Sequence, residues 1–210
     1  MSRSWINNFV EKIANVEGRF ELYAAVFLKY DHQFVFALKD SKDWVFENGK
    51  RKASLSTFGG RLEEGINPTL FLKDHYSKEL GVSIDITDSP HTYIDYHHKL
   101  KKLPINPLKG ELRPQMITIV QQARYSSSPK SIIFSYAGYS KNKPHSIKHS
   151  ALFFAREVVL VQMFKNEKTV SELKKAGAIF EERIKIPDNL SLYPTGSLNS
   201  LLRYLSYEVF

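Results

Sequence analysis

The sequence contains no cysteine. Disulfides and thiolate zinc sites are therefore excluded, and the absence fits a reducing compartment. No apolar run approaches the ~20 residues that a membrane-spanning helix needs, so no membrane partner is expected. The opening residues, Met1-Ser2-Arg3-Ser4-Trp5-Ile6-Asn7-Asn8, lack the apolar centre of a secretion signal. Together these absences point to a soluble, cytoplasmic protein. No repeat, low-complexity tract or interdomain linker interrupts the chain. Acidic residues are in deficit: 22 Asp and Glu stand against 30 Lys and Arg, a formal net charge of +8. An excess of that sign attracts anionic partners over long range, among them nucleotides, RNA and acidic proteins. The same excess also serves solubility alone.

What remains is an ordinary globular mixture of 210 residues, 42% hydrophobic and 25% charged. A chain of this length buries a sizeable core without a structural metal. Residues 5–16 carry Trp5, Ile6, Phe9, Val10, Ile13 and Val16 at helical spacing, and Gly18 is a stop. Residues 20–30 and 34–38 read as strands joined through Asp31-His32-Gln33, a hairpin. Asn48-Gly49 marks a turn in a polar stretch. Asn67-Pro68 opens a second helix, with Asn as cap and Pro in the first turn, and Gly81 closes it. Leu72, Tyr76 and Leu80, four apart, define its buried stripe. Strands are expected at 91–98, 115–123, 131–139 and 151–154, with a basic loop at 99–113 and turns or loops at 126–129 and 141–149. Helices are expected near 155–164, at 169–176 behind a Thr169 cap, and after Tyr193-Pro194-Thr195-Gly196-Ser197, carrying Leu198, Leu201, Leu202 and Leu205. The class is α+β.

The order hairpin, Gly59-Gly60 loop, helix and further strands resembles the Nudix superfamily, whose box reads G-x5-E-x7-R-E-U-x-E-E-x-G-U with U apolar. With Gly60 at the first glycine, Gly81 falls on the second and Val82 on the apolar position after it. Glu63 and Gly65 also suit the family's loop. The layout spans roughly residues 20–160. The resemblance implies a mixed β-sheet sandwiched by helices, with an extra N-terminal helix at 1–18 and the Nudix-like domain, including a C-terminal helical extension, at 19–210. It also implies magnesium-dependent cleavage of a diphosphate linked to another group.

The catalytic letters depart from that pattern. The first Glu of the box falls on Ile66, the Arg on Asp74, its adjoining Glu on His75, and the next Glu on Lys78. Only Glu79 remains of the three helix carboxylates that the resemblance assigns to magnesium. Magnesium prefers several oxygen ligands in octahedral array. An ammonium and an imidazole on the same helix face oppose that requirement, and suit a phosphate instead. Lys78 can also pair with Asp74 at i, i+4.

The first functional expectation is therefore a degenerate, hydrolase-like module that binds a nucleotide, or another phosphate-bearing small molecule, without a metal cofactor. Its candidate ligand-binding residues are Gly60, Arg61, His75, Lys78, Lys101 and Arg113. The second is a divergent hydrolase that uses magnesium through Glu79 with Glu63 or Glu64 as catalytic carboxylates. A third is an RNA- or protein-interaction subunit, homo- or hetero-oligomeric, docking through the first or last helix. Basic residues at 99–113 beside Tyr93, Tyr96 and Tyr125 motivate the RNA alternative. Against these stand plainer roles. Glu63 and Glu64 suit solvated loop charge, His75 a helix surface, and Glu79 a bond to loop amides. Gly59 and Gly60 suit a tight turn, while His145 and His149 suit the protein surface. Asp95, His97, His98 and His91 are a further weak metal cluster, since adjacent strand residues face opposite sides.

Overall fold

The structure, a computed structural model, describes residues 5–17, 20–63, 65–107, 109–120 and 130–208. Gly18, Glu64, Tyr125 and the turn expected at 126–129 lie outside them. The chain begins with helix α1 (Trp5–Glu17). Strands β1 (Phe20–Tyr30) and β2 (Gln33–Leu38) then form the expected hairpin. Its turn holds Asp31 and His32 at positive φ, the left-handed pair that matches the twist of a two-residue hairpin. A second hairpin follows, β3 (Val45–Glu47) and β4 (Lys50–Ser56), turning at Asn48-Gly49.

Strand β5 (Phe58–Arg61) contains both glycines of the expected turn, and this corrects their role. They sit in extended backbone paired antiparallel to β1, with Ala25 opposite Gly59 and Ala24 opposite Gly60. A Cβ on Gly59 would lie 2.5 Å from the Ala24 carbonyl oxygen, and one on Gly60 would lie 3.0 Å from the Phe71 ring. Close approach, rather than a turn, is what excludes a side chain there.

Helix α2 (Pro68–Leu80) starts and stops as expected. The Asn67 side chain accepts from the Thr69 and Leu70 amides at 2.9 and 3.2 Å, and Gly81 is left-handed at φ 64°. After it come β6 (Asp85–Thr87), β7 (Thr92–Tyr96), β8 (Lys99–Leu103), β9 (Met116–Val120) and β10 (Lys130–Tyr139). The basic segment expected as a loop thus begins as a strand. β8 pairs with β7 across a turn made by His97 and His98, both at positive φ. These histidines therefore do not lie on a strand. The remaining elements are β11 (Ala151–Ala155), α3 (Glu157–Lys165), β12 (Lys168–Thr169), α4 (Val170–Lys175), β13 (Ile179–Glu182), β14 (Ser191–Pro194) and α5 (Ser197–Glu208). Thr169 caps α4 in a reciprocal box with Glu172.

The strands run in the order β12-β14-β4-β2-β1-β10-β9-β7-β8. β1 and β10 are parallel over ten residue pairs, from Phe20 opposite Lys130 to Lys29 opposite Tyr139, while β2, β5 and β9 pair antiparallel with them. The sheet is mixed and both faces are covered. Period-two alternation sorts the side chains. Phe27, Phe34, Phe36 and Phe153 face α3, α4 and α5. Val26, Leu28, Val35, Ala37 and Phe154 face α1 and α2. Trp5 of α1 packs edge-on against Phe134 at 5.7 Å, and Leu198, Leu201, Leu202 and Leu205 of α5 are buried in the opposite layer. Trp5, Ile6, Phe9 and Val10 of α1 and these four leucines of α5 thus pack into the protein's own core. This is the α+β, helix-sandwiched sheet that the layout implied. Among the described residues no helix is long and apolar enough to cross a membrane.

Candidate functional site

Glu79 follows directly from the register of α2. Leu72, Tyr76 and Leu80 face the sheet, and position 79 falls on the margin of that stripe. Its side chain is only 6% exposed. A carboxylate in such a place needs cationic or hydrogen-bonding partners, because burial without them is costly. Among the described residues those partners are side chains and not backbone amides. Lys148 Nζ donates to Oε2 at 2.9 Å and His149 Nε2 to Oε1 at 2.8 Å. His75, one turn earlier on α2, brings Nε2 to 3.7 Å from Oε2. Burial pushes the Glu79 pKa up, but the Lys148 and His149 bonds and charges outweigh it and hold the group below the ordinary glutamate value. Glu79 is therefore an ionised acid compensated from within the chain.

The ring contacts fix the surroundings. His75 stacks on Phe71 at 5.7 Å and 13° and meets Tyr76 edge-on at 4.8 Å. Tyr76 donates its hydroxyl proton to the Gly59 carbonyl, tying α2 to β5. Burial, and then the Glu79 charge, push the Tyr76 pKa up to about 12. Phe58 of β5 lies beside both Tyr76 and His149.

The partners of Glu79 come from the loop between β10 and β11. His145 N–H donates to the Leu80 carbonyl at 3.0 Å, at the C-terminus of α2. Arg183, just beyond β13, grips the loop from outside. Its Nε donates to the His149 carbonyl at 2.8 Å, and a terminal nitrogen reaches the Lys148 carbonyl at 3.3 Å and Asp40 at 3.2 Å. Glu181 holds Lys143 at 2.7 Å and His145 at 2.5 Å. His145 is exposed, as expected, and pairs with Glu181 at the surface, whereas His149 is half-buried against Glu79.

Beside this cluster an open cleft of about 510 Å³ is lined by Phe71, Asp74, His75, Lys78, Glu79, Ile147 and Lys148. Of the expected ligand residues it unites His75 and Lys78, with Gly60 behind Phe71. Among the described residues no ion pair joins Lys78 to Asp74, so the expected pairing is not made. Arg61 turns to Glu21, 3.2 Å away. Arg113 forks onto Asp88, and Lys101 is exposed on β8 opposite Ile94. Neither lines the α2 cleft. Glu63 opens on a different cavity of about 250 Å³, between α1 and the start of α2, and Glu64 lies outside the described residues. The expected union of Glu63 with Glu79 is thus not formed in a shared cleft. Asp95 pairs with Arg203 at 3.3 Å, and the same guanidinium lies 3.0 Å from His98, so that group is an ion-pair network rather than a metal cluster.

Magnesium fits these residues poorly. Both oxygens of Glu79 are engaged by Lys148 and His149, and the neighbouring positions on α2 to which the resemblance assigns ligands hold an imidazole, His75, and an ammonium, Lys78. Among the described residues no group of three or more His, Asp or Glu side chains is placed to hold a metal ion. What sequence reasoning missed is Lys148, His149 and Arg183. The available signal was Glu79 itself: an acid three residues beyond Tyr76 and next to Leu80 borders the buried stripe and demands cations from elsewhere.

No family model and no curated protein matches the chain. Among solved structures it is similar to a Nudix-family hydrolase from Clostridium perfringens, at 11% identity over 91% of this chain and 99% of that one, with a TM-score of 0.45. A UDP-X diphosphatase is similar at 9% identity over 97% of this chain and 71% of that one, with a TM-score of 0.42. A MutT Nudix hydrolase from Burkholderia pseudomallei is similar at 11% identity over 67% and 85%, with a TM-score of 0.39.

Proposed function

We propose that this chain is a Nudix-like module that binds a nucleotide or nucleotide derivative through its phosphates without standard magnesium-dependent hydrolysis. One observation carries the reading. The sole box acid, Glu79, has both oxygens bonded to Lys148 and His149, while Lys78 and His75 stand in the open cleft where carboxylates would be needed. An ammonium and an imidazole at the mouth of a cleft can meet phosphate oxygens directly. The net charge of +8 favours the approach of such an anion. Phe71 and Ile147 add apolar surface for the body of the ligand.

The test pairs binding with turnover. A panel of nucleoside mono-, di- and triphosphates, nucleotide sugars and dinucleoside polyphosphates is screened by thermal shift, and the same mixtures are assayed for product with magnesium present. The expected result is a rise in Tm for some members, weakened by salt and by Lys78→Glu, with no product formed. Robust magnesium-dependent cleavage lost in Glu79→Gln would overturn the reading.

A further inference from the structure

We infer that the loop between β10 and β11 carries a resident substitute for a divalent cation. The Lys148 ammonium, with the His149 imidazole beside it, compensates Glu79 in the way a metal ion would, and Arg183 positions both. The inference rests on the metal-free part of the proposed function and goes beyond it, because it says what stands in the metal's place and where that group comes from.

Three observations converge. First, the Lys148 ammonium and the His149 imidazole take one carboxylate oxygen each, at 2.9 and 2.8 Å, so they divide Glu79 between them. The side chain is 6% exposed, so little of the carboxylate is left for a hydrated ion. Second, the substitute is held from behind. Arg183 Nε donates to the His149 carbonyl at 2.8 Å and its terminal nitrogen to the Lys148 carbonyl at 3.3 Å, while Asp40 fixes the same guanidinium at 3.2 Å. The two grips are adjacent: Arg183 takes the carbonyls of the same residues whose side chains take Glu79. Third, the loop is bonded to α2 by its backbone as well, through His145 N–H and the Leu80 carbonyl at 3.0 Å. A divalent ion draws acids from separate elements together by its charge. Here a lysine and a histidine from one loop join an acid on a helix 69 residues earlier in the chain, as the numbering of Lys148 and Glu79 gives. Arg183 is a positioning residue, since it bonds the backbone carbonyls of Lys148 and His149 and is neither a partner of Glu79 nor itself among the residues that line the cleft.

The experiment follows Tm during titration of the full chain with manganese. It compares wild type, the double variant Lys148→Met/His149→Gln, and that variant with Glu79→Gln added. In wild type the expected Tm is unchanged by millimolar manganese or by EDTA. The double variant leaves Glu79 without both of those bonds, with His75 3.7 Å away and Asp74 on the wall of the same cleft. It is expected to melt lower than wild type and to regain a saturable rise of about 3 °C with manganese, and adding Glu79→Gln abolishes that rise. Two results overturn the inference: a Glu79-dependent manganese rise in wild type, or none in the double variant. Should the double variant yield no folded protein, the same titration on Lys148→Met alone decides. Arg183→Met is expected to give an intermediate manganese response through loosening of the loop, an effect that loss of general stability would not produce. Nucleotide binding is scored separately without metal, so failure here is distinct from failure of the binding function.

Discussion

Lys148 is more than half exposed and its partner Glu79 is almost fully buried, so the two ends of the pair behave differently on substitution. Removing Glu79 leaves a lysine free to return to water. Removing Lys148 leaves a buried carboxylate with one partner fewer, and the unpaired group bears the desolvation cost. Lys148→Met is therefore expected to lower stability by about 1–3 kcal/mol, and more than Glu79→Gln does, measured by urea unfolding near neutral pH. The pH dependence has a definite sign. The Glu79 pKa is depressed in the folded protein, so the unfolded chain takes up the proton first as pH falls. The stabilisation from this group is complete above the unfolded value and is lost as pH drops through the folded one. Without Lys148 that depression is reduced or reversed, since burial then acts with less opposition. The gap in Tm between wild type and Lys148→Met is accordingly expected to narrow as pH is lowered from about 7 to below about 4. A gap that widens on acidification would show that the pair is not what holds the Glu79 proton off. Half of this site is legible in the sequence. Ile66, His75 and Lys78 put no carboxylate at three positions around α2 where the resemblance expects one, and that much is readable because the box spacing is local. Lys148 and His149 are not legible, since nothing in a polar loop says which distant acid it will meet.

At the scale of elements, glycines with different jobs separate two kinds of constraint. Gly81 has φ 64° and open space around the position a methyl group would take, whereas a Cβ on Gly59 would strike the Ala24 carbonyl at 2.5 Å. Gly81→Ala is expected to cost about 1 kcal/mol through left-handed strain alone. Gly59→Ala should cost about 2–3 kcal/mol, because backbone must move and the β1–β5 pairing is disturbed. Urea midpoints for the two variants check this, and equal losses would refute the distinction. The same contrast explains what the sequence discloses. Helix α2 is readable at both ends because its signals act within one turn: Asn67 bonds amides two and three residues on, and Gly81 reverses the chain at once. β5 departs from the expected turn because the need for glycine there comes from β1, some 35 residues earlier by numbering. β8 departs from the expected loop because Lys99, Lys101 and Lys102 look like solvated charge. On an edge of the sheet, lysines are tolerated along one strand pair, and they also discourage further pairing.

The whole molecule is a sheet with two independent apolar layers, and each terminal helix completes one of them. α5 fills its side with four leucines from successive turns, and α1 covers the other largely through Trp5 and Phe9, both edge-on to Phe134. A helix placed this way serves as a lid on its own core, so its loss acts on folding before it acts on association. Trp5→Ala removes a side chain that is only 8% exposed and uncovers Phe134. It is expected to lower stability by about 3 kcal/mol while the mass in solution stays that of wild type. Deletion of residues 1–17 should lower stability further, again without converting a larger assembly into a smaller one. Urea unfolding and sedimentation on the same samples separate the two roles. A variant that keeps its stability but changes mass would instead assign Trp5 to a contact between copies.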